Sequence, residues 1–170
     1  MSEELFDVVD ENDHVIGTLP RTEVHRRQLL HRAIHVFVFR SDGQMLIHQR
    51  SANKEEFPSV WTSSCSGHVS SGETYESSAP RELQEELGIQ ATLQRLQKFP
   101  AQEATSWEFT VLFQAVTDAE VTPDPGEMTA IRWMNVADIA EWMTQSSHDF
   151  SPAFQVLFRW YCEQFARPES

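Results

Sequence analysis

The sequence predicts a mixed α/β or α+β fold. Strand-like runs rich in Val, Ile, Phe and Trp recur along the chain, bounded by Gly, Pro, Asp and Ser. Three other segments carry apolar residues at helical spacing and are interspersed among those runs. Hydrophobic residues make up 40% and charged residues 23% of the 170, the balance of a globular chain able to bury a core.

Residues 4–18 predict a hairpin: Leu5 to Val9, a polar turn at Asp10 to Asp13, then the apolar pair Val15-Ile16. Pro20 followed by Arg21 to Leu30 reads as a short helix or extended turn. Ala33 to Phe39 (AIHVFVF) is strand-like, Ser41-Asp42-Gly43 is a turn, and Gln44 to Gln49 returns as a strand. Lys54 to Ser59, with Pro58, reads as loop, and Trp61 to Ser66 as a strand feeding Gly67. Ala91 to Leu96 and Trp107 to Val116 are strand-like, and Thr122 to Gly126, with two prolines, is a loop. Ala130 to Met134 predicts a strand, Val136 to Thr144 a helix, and about 152–166 an amphipathic C-terminal helix. With no repeat or low-complexity tract, residues 1–170 read as one domain.

Thirteen Lys and Arg against 26 Asp and Glu leave a net charge of -13. That argues against nucleic acid or an anionic membrane as a partner, because both demand a positive footprint. A small phosphorylated substrate stays compatible, since a bound divalent cation inverts the local field. No run of about 18 apolar residues predicts a membrane span, and the acidic N-terminus lacks an apolar leader. Two cysteines, Cys65 and Cys162, are too few for a disulfide scaffold. The expectation is a cytoplasmic protein acting on a small molecule, with a homodimer left open.

The chemistry concentrates in residues 67–89, GHVSSGETYESSAPRELQEELGI. Ala79, Leu83 and Leu87 form an apolar stripe at helical spacing, and Glu82, Glu85 and Glu86 share an adjoining face. Gly88 sits where a helix ends in a left-handed residue. Crowded carboxylates repel, at about 0.2–0.5 kcal/mol per pair on a bare helix, and hard divalent cations seek such oxygen clusters. Arg81 is placed to hold a carboxylate by a bidentate contact. Pro80 costs little if the helix starts at Ser77 or Ser78, and predicts a kink if it starts at Thr74.

The full spacing resembles the Nudix box: Gly67, five residues, Glu73, seven residues, Arg81-Glu82, an aliphatic, one residue, Glu85-Glu86, one residue, Gly88, an aliphatic. A chance match of every fixed position is roughly one in ten million, which sets it apart from an ordinary solvated acidic face. The resemblance implies a mixed sheet sandwiched between helices, with a loop–helix–loop holding Mg²⁺ or Mn²⁺. It implies hydrolysis of a pyrophosphate bond in a nucleoside diphosphate derivative or related organic diphosphate. Glu82, Glu85 and Glu86 would be metal ligands with the main-chain carbonyl at Gly67. Glu73 and Arg81 would pair to shape the loop, closed by Gly67 and Gly88, and Arg81, Glu82 and Glu85 would serve catalysis.

The flanks resemble isopentenyl diphosphate isomerases and the Nudix hydrolases nearest to them, through Trp61 to His68, Gln49-Arg50-Ser51 and Phe57-Pro58. His25, His31 and His68 resemble that isomerase's metal-binding histidines, and Glu108 its acidic residue. Two departures favour hydrolysis over isomerisation, and a box that has lost no carboxylate favours it over a non-catalytic diphosphate sensor. Ser66 stands where the isomerase has its reactive cysteine, and Ser106 where it has a further Glu, while the box is complete. Read from their own context, His25-Arg26-Arg27 and His31-Arg32 predict surface or anion-contacting groups, and Cys65 a small buried hydrophobe pointing away from the site. Trp107, Phe109 and Phe113 predict a core-facing edge, so Glu108 faces the other way, into solvent or into the metal site. Glu127, in the loop before Ile131-Arg132-Trp133, is the first candidate for a metal-assisting residue or general base, and Glu108 the second.

Overall fold

The computed structural model describes residues 2–165, so residue 166 of the expected C-terminal helix lies outside the described residues. Strands β1 (Leu5–Val9) and β2 (Val15–Pro20) form the expected hairpin, which runs two residues further than predicted. Its turn is built by Asp10, whose Oδ1 accepts from the N–H of Asn12 and of His14. Helix α1 (Arg21–Arg26) follows directly, with Pro20 at its cap.

The main sheet is centred on β3 (His31–Phe39), which lies parallel to β8 (Glu108–Val116) along its whole length. On its other edge β3 changes partner. It meets β4 (Met45–Arg50) at Phe39 and β6 (Cys65–His68) from Val36 back to Ala33. Strands β5 (Trp61–Thr62) and β9 (Met128–Met134) pair with β4, and β7 (Gln94–Phe99) with β8.

Two strands depart from expectation. Trp61 to Ser66 is split into β5 and the start of β6, because the intervening Ser64 uses its side chain as a bridge. Its Oγ donates to Leu46 O at 2.6 Å and accepts from Val38 N at 2.8 Å, tying β4 to β3. The strand expected at Ala91 to Leu96 begins at Gln94, where pairing with β8 starts, while Ala91 and Leu93 pack against the core as loop. Cross-strand pairing decided that boundary over apolar content.

Helices sandwich the sheet. Ile34, Val36 and Val38 of β3 pack toward α2 (Tyr75–Leu87), whose Ala79, Leu83 and Leu87 complete one core. Phe37 and Phe39 face the opposite layer of α3 (Val136–Gln145) and α4 (Pro152–Phe165). Helix α2 is fixed at its start by a capping box: Thr74 Oγ1 accepts from Ser77 N, and Ser77 Oγ from Thr74 N. That cap places Pro80 in the second turn rather than the first, and the helix runs on to Leu87, where Gly88 closes it at φ +67°. The buried Asp13, at φ +64°, accepts from Arg32 Nε at 2.6 Å, from Tyr75 Oη at 2.7 Å and from Lys98. This fastens the hairpin to β3, α2 and β7.

Candidate active site

Strand alternation sorts the chemistry onto two faces of β6. Cys65 turns toward α2, where its Sγ donates to Glu86 Oε2 at 3.0 Å, and Ser66 N donates to the same oxygen at 3.0 Å. Burial and the Glu86 charge push the thiol well up, so Cys65 is a neutral donor, more than the inert hydrophobe its context predicted. Ser66 and His68 face the other way, into a cavity of about 290 Å³.

The box carboxylates stand against the backbone of β6. A Cβ on Gly67 would lie 2.2 Å from Glu82 Cδ and 2.3 Å from its Oε1, so only glycine lets Glu82 lie there. Arg81 ties the loop together: Nε to Glu73 Oε2 at 3.0 Å, Nη1 to Glu82 Oε1 at 3.1 Å and to Glu85 Oε2 at 3.0 Å. Ser78 Oγ donates to Glu73 as well. Burial, with the neighbouring Glu85 charge, raises Glu82 to about 7 against the pull of Arg81. Burial, with the charge of Glu82, raises Glu86 to about 8. Two carboxylates driven toward protonation by burial first, and by each other's charge second, are groups whose protons a divalent cation could replace.

The histidines overturn their surface reading. His31 is 1% exposed, and His25, His31, His68 and Glu108 each offer a ligand atom within 4.8 Å of the others. Glu108 Oε1 lies 2.8 Å from His68 Nε2 and 3.4 Å from His31 Nε2. Burial opposes charge on Glu108, yet His68 and His31 hold its carboxyl well below the usual range. His31 Nδ1 donates to Leu29 O at 2.8 Å, which turns Nε2 toward the cluster. Among the described residues, His25 Nε2 is buried without a hydrogen-bond partner, while His31 Nε2, short of hydrogen-bond geometry, lies in ion-pair range of Glu108. Phe6 is fully buried against this group, its ring centroid 4.7 Å from that of His68 and 5.6 Å from that of His31. The charged neighbours Arg26, Arg27 and Arg32 misled the sequence reading. The usable signal was strand register, which sets His31 opposite Glu108 and Ala33 opposite His68.

Glu108 is presented by strained backbone: Ser106 and Trp107 precede it at φ +54° and +64°, and Thr105 Oγ1 donates to its carbonyl at 2.9 Å. Glu127 lines the cavity half-exposed and is ion-paired with Lys54. Arg50, Lys54 and Arg21 line the same space, and the Arg50 guanidinium is held by the carbonyls of Glu56 and Phe57. These cations, and the neutral side chains His35, Thr62 and Ser151, carried no local motif and were missed as site groups.

Comparison with known proteins agrees with this geometry. The NUDIX domain family model matches residues 29–154. An isopentenyl-diphosphate Delta-isomerase of Serratia proteamaculans is 32% identical over 162 residues, covering 92% of this chain and 90% of that one. An uncharacterized Nudix hydrolase of Pseudomonas aeruginosa is 36% identical over 132 residues, covering 77% and 78%. Among solved structures, DR0079 of Deinococcus radiodurans superposes with a TM-score of 0.71 at 32% identity, covering 81% of this chain and 90% of that one. Fold, box and relatives converge, and the chain belongs to the NUDIX family of pyrophosphohydrolases and their relatives.

Proposed function

We propose that this chain hydrolyses the pyrophosphate bond of a nucleoside diphosphate derivative or a related organic diphosphate. The observation that carries the reading is that the box carboxylates and several cations line one cavity: Glu82, Glu85 and Glu86 share it with Arg50, Lys54 and Arg21, the last two ion-paired with Glu127 and Glu4. Glu82, Glu85, Glu86 and the Gly67 carbonyl would hold Mg²⁺ or Mn²⁺, and His25, His31, His68 and Glu108 a second divalent cation of the kind that takes imidazole ligands. A divalent cation at such a site supplies charge neutralisation on the phosphates and a lowered pKa for the attacking water.

The residues have distinct tasks. Arg50 and Lys54 bind phosphate oxygens, and Arg81 keeps Glu82 and Glu85 from swinging apart. In the reaction a water oxygen bonds to phosphorus, the bridging P–O bond breaks, and a water proton leaves to a base. Glu127 suits that role better than Glu108, which is committed to two histidines. A diphosphate that draws Lys54 away frees Glu127 to accept the proton.

Isomerisation of an allylic diphosphate is the second reading, supported by the histidine quartet and the isomerase relatives. Cys65 turns away from the cavity onto Glu86, and serines stand at 66 and 106, which weighs against it. Phosphorus NMR of a diphosphate panel with Mg²⁺ or Mn²⁺ tests the proposal, with proton NMR of isopentenyl diphosphate in parallel. Monophosphate products are expected; double-bond migration without hydrolysis, or no reaction, defeats it. Glu127→Gln should lower kcat at least about tenfold, and more than Glu108→Gln lowers it at saturating metal. Full activity in both variants puts the base inside the box.

A further inference from the structure

Apart from its charged clusters, the cavity has a neutral polar wall. His35 on β3, Thr62 on β5 and Ser151 just ahead of α4 all line it, and none is more than 6% exposed. Thr62 Oγ1 and Ser151 Oγ lie 2.9 Å apart, and Ser151 Oγ also accepts from Phe154 N at 3.2 Å. Two hydroxyls carry two protons, and the bond between them uses one. The other O–H has no acceptor among the described residues.

His35 has a similar unused atom. Its Nδ1 pairs with Ser63 Oγ at 2.6 Å. Its Nε2 has no protein partner among the described residues, yet it is not sealed as His25 Nε2 and His31 Nε2 are, so it opens onto the cavity. Burial pulls the ring down to about 4, which keeps it neutral and unsuited to gripping phosphate. The apolar side chains of the cavity are the small Ala33 and Ala153 and the half-exposed Phe57, which comes from the loop before β5.

We infer that His35, Thr62 and Ser151 form a recognition wall for hydroxyl groups on the organic end of the substrate, selecting hydroxyl-bearing diphosphates over hydrocarbon ones. The inference rests on reading the cavity as a diphosphate site. A hydrocarbon end pressed against these atoms leaves buried donors and acceptors unpaired, which a polar site rejects strongly.

The test uses short alkyl methylenediphosphonates, which cannot be hydrolysed, and their terminally hydroxylated counterparts. Titration calorimetry with Mg²⁺ present should show the best hydroxylated compound binding about tenfold tighter than its alkyl twin. Thr62→Val, which keeps shape, and His35→Phe should each shrink that preference, and together bring it within about twofold. Circular dichroism verifies that the variants fold, and Ser151→Ala replaces either one that does not. Equal binding by the unaltered chain, or a full preference surviving in the folded variants, overturns the inference. Tight, selective binding without turnover of any diphosphate would uphold the wall and end the hydrolase reading instead.

Discussion

The two faces of β6 carry two ligand clusters made by opposite routes. The carboxylates Glu82, Glu85 and Glu86 come from one helix, within five residues of sequence. The quartet of His25, His31, His68 and Glu108 comes from four elements spread over more than eighty residues. Their electrostatics differ just as much. Glu108 is buried beside two imidazoles and stays ionised, whereas Glu86 is buried beside another carboxylate and is pushed toward protonation. In the quartet the counter-charge lies against the buried carboxylate itself, whereas Arg81 pairs with Glu82 and Glu85 and leaves the buried Glu86 to Cys65 and the Ser66 N–H. A cluster read from spacing alone therefore declares itself by like-charge crowding, and a self-compensated one does not.

The largest expected effect breaks the carboxylate side. Glu86→Gln and Glu82→Gln should each cut kcat at least about 100-fold, because a cation's charge stabilisation is lost. Metal-free stability at pH 8 should hold or rise, since a repelling charge is removed. Phosphate release assays and thermal melts check both halves, and near-native turnover would refute the ligand assignment. Next comes the quartet. His68→Ala should weaken Zn²⁺ or Co²⁺ binding by about 10–100-fold in competition dialysis while leaving Mg²⁺ affinity unchanged. A parallel loss of Mg²⁺ affinity would mean the two clusters act as one site.

Arg81→Lys sharpens the difference further. A point charge cannot reach Glu73, Glu82 and Glu85 together, so kcat should fall about tenfold with the quartet's metal binding intact. The smallest effect is on stability against pH in metal-free protein. Glu82 and Glu86 are raised from the ordinary 4.5 to about 7 and about 8, so the folded state holds protons that the unfolded chain has released. Their contribution is complete below about 4.5 and is lost as pH rises through 7 and 8. His35 and His48, lowered from 6.5 to about 4, act in the opposite direction, but only between those values. Above pH 6.5 the falling limb belongs to the glutamates, with the raised His31 acting in the same sense. The melting midpoint should drop a few degrees from about pH 6.5 to 8.5, and a Glu82→Gln/Glu86→Gln double variant should flatten the slope. An equal slope in that variant would refute the crowding argument.

How much was legible follows the same division. The mixed class, hairpin and box helix rest on local patterns, and sequence reading reached them; the sandwich and the Glu73–Arg81 contact came through the resemblance of the box. Sequence left the start of the box helix open between Thr74 and Ser77 or Ser78, because the Thr74–Ser77 capping box that decides it uses Ser where Glu is the familiar partner. The buried state of His31 was missed because flanking arginines reach away from a strand whose alternate side chains point inward. Thr62 and Ser151 meet across 89 residues, and only the bridge between Trp61 and Phe150 brings them together. No spacing rule reaches that far.

The hairpin has a consequence for inheritance. The family match begins at residue 29, downstream of Phe6, Asp13 and His25. A chain trimmed to the matched span would retain every box glutamate and lose one imidazole together with the aromatic wall behind the other two. The N-terminal hairpin is thus a clip on the main sheet, latched by Asp13 onto Arg32, Lys98 and Tyr75 and wedged by Phe6 among the imidazoles. His25 on α1 and Phe6 on the hairpin lie ahead of the matched span, whereas His31, His68 and Glu108 stand on strands within it.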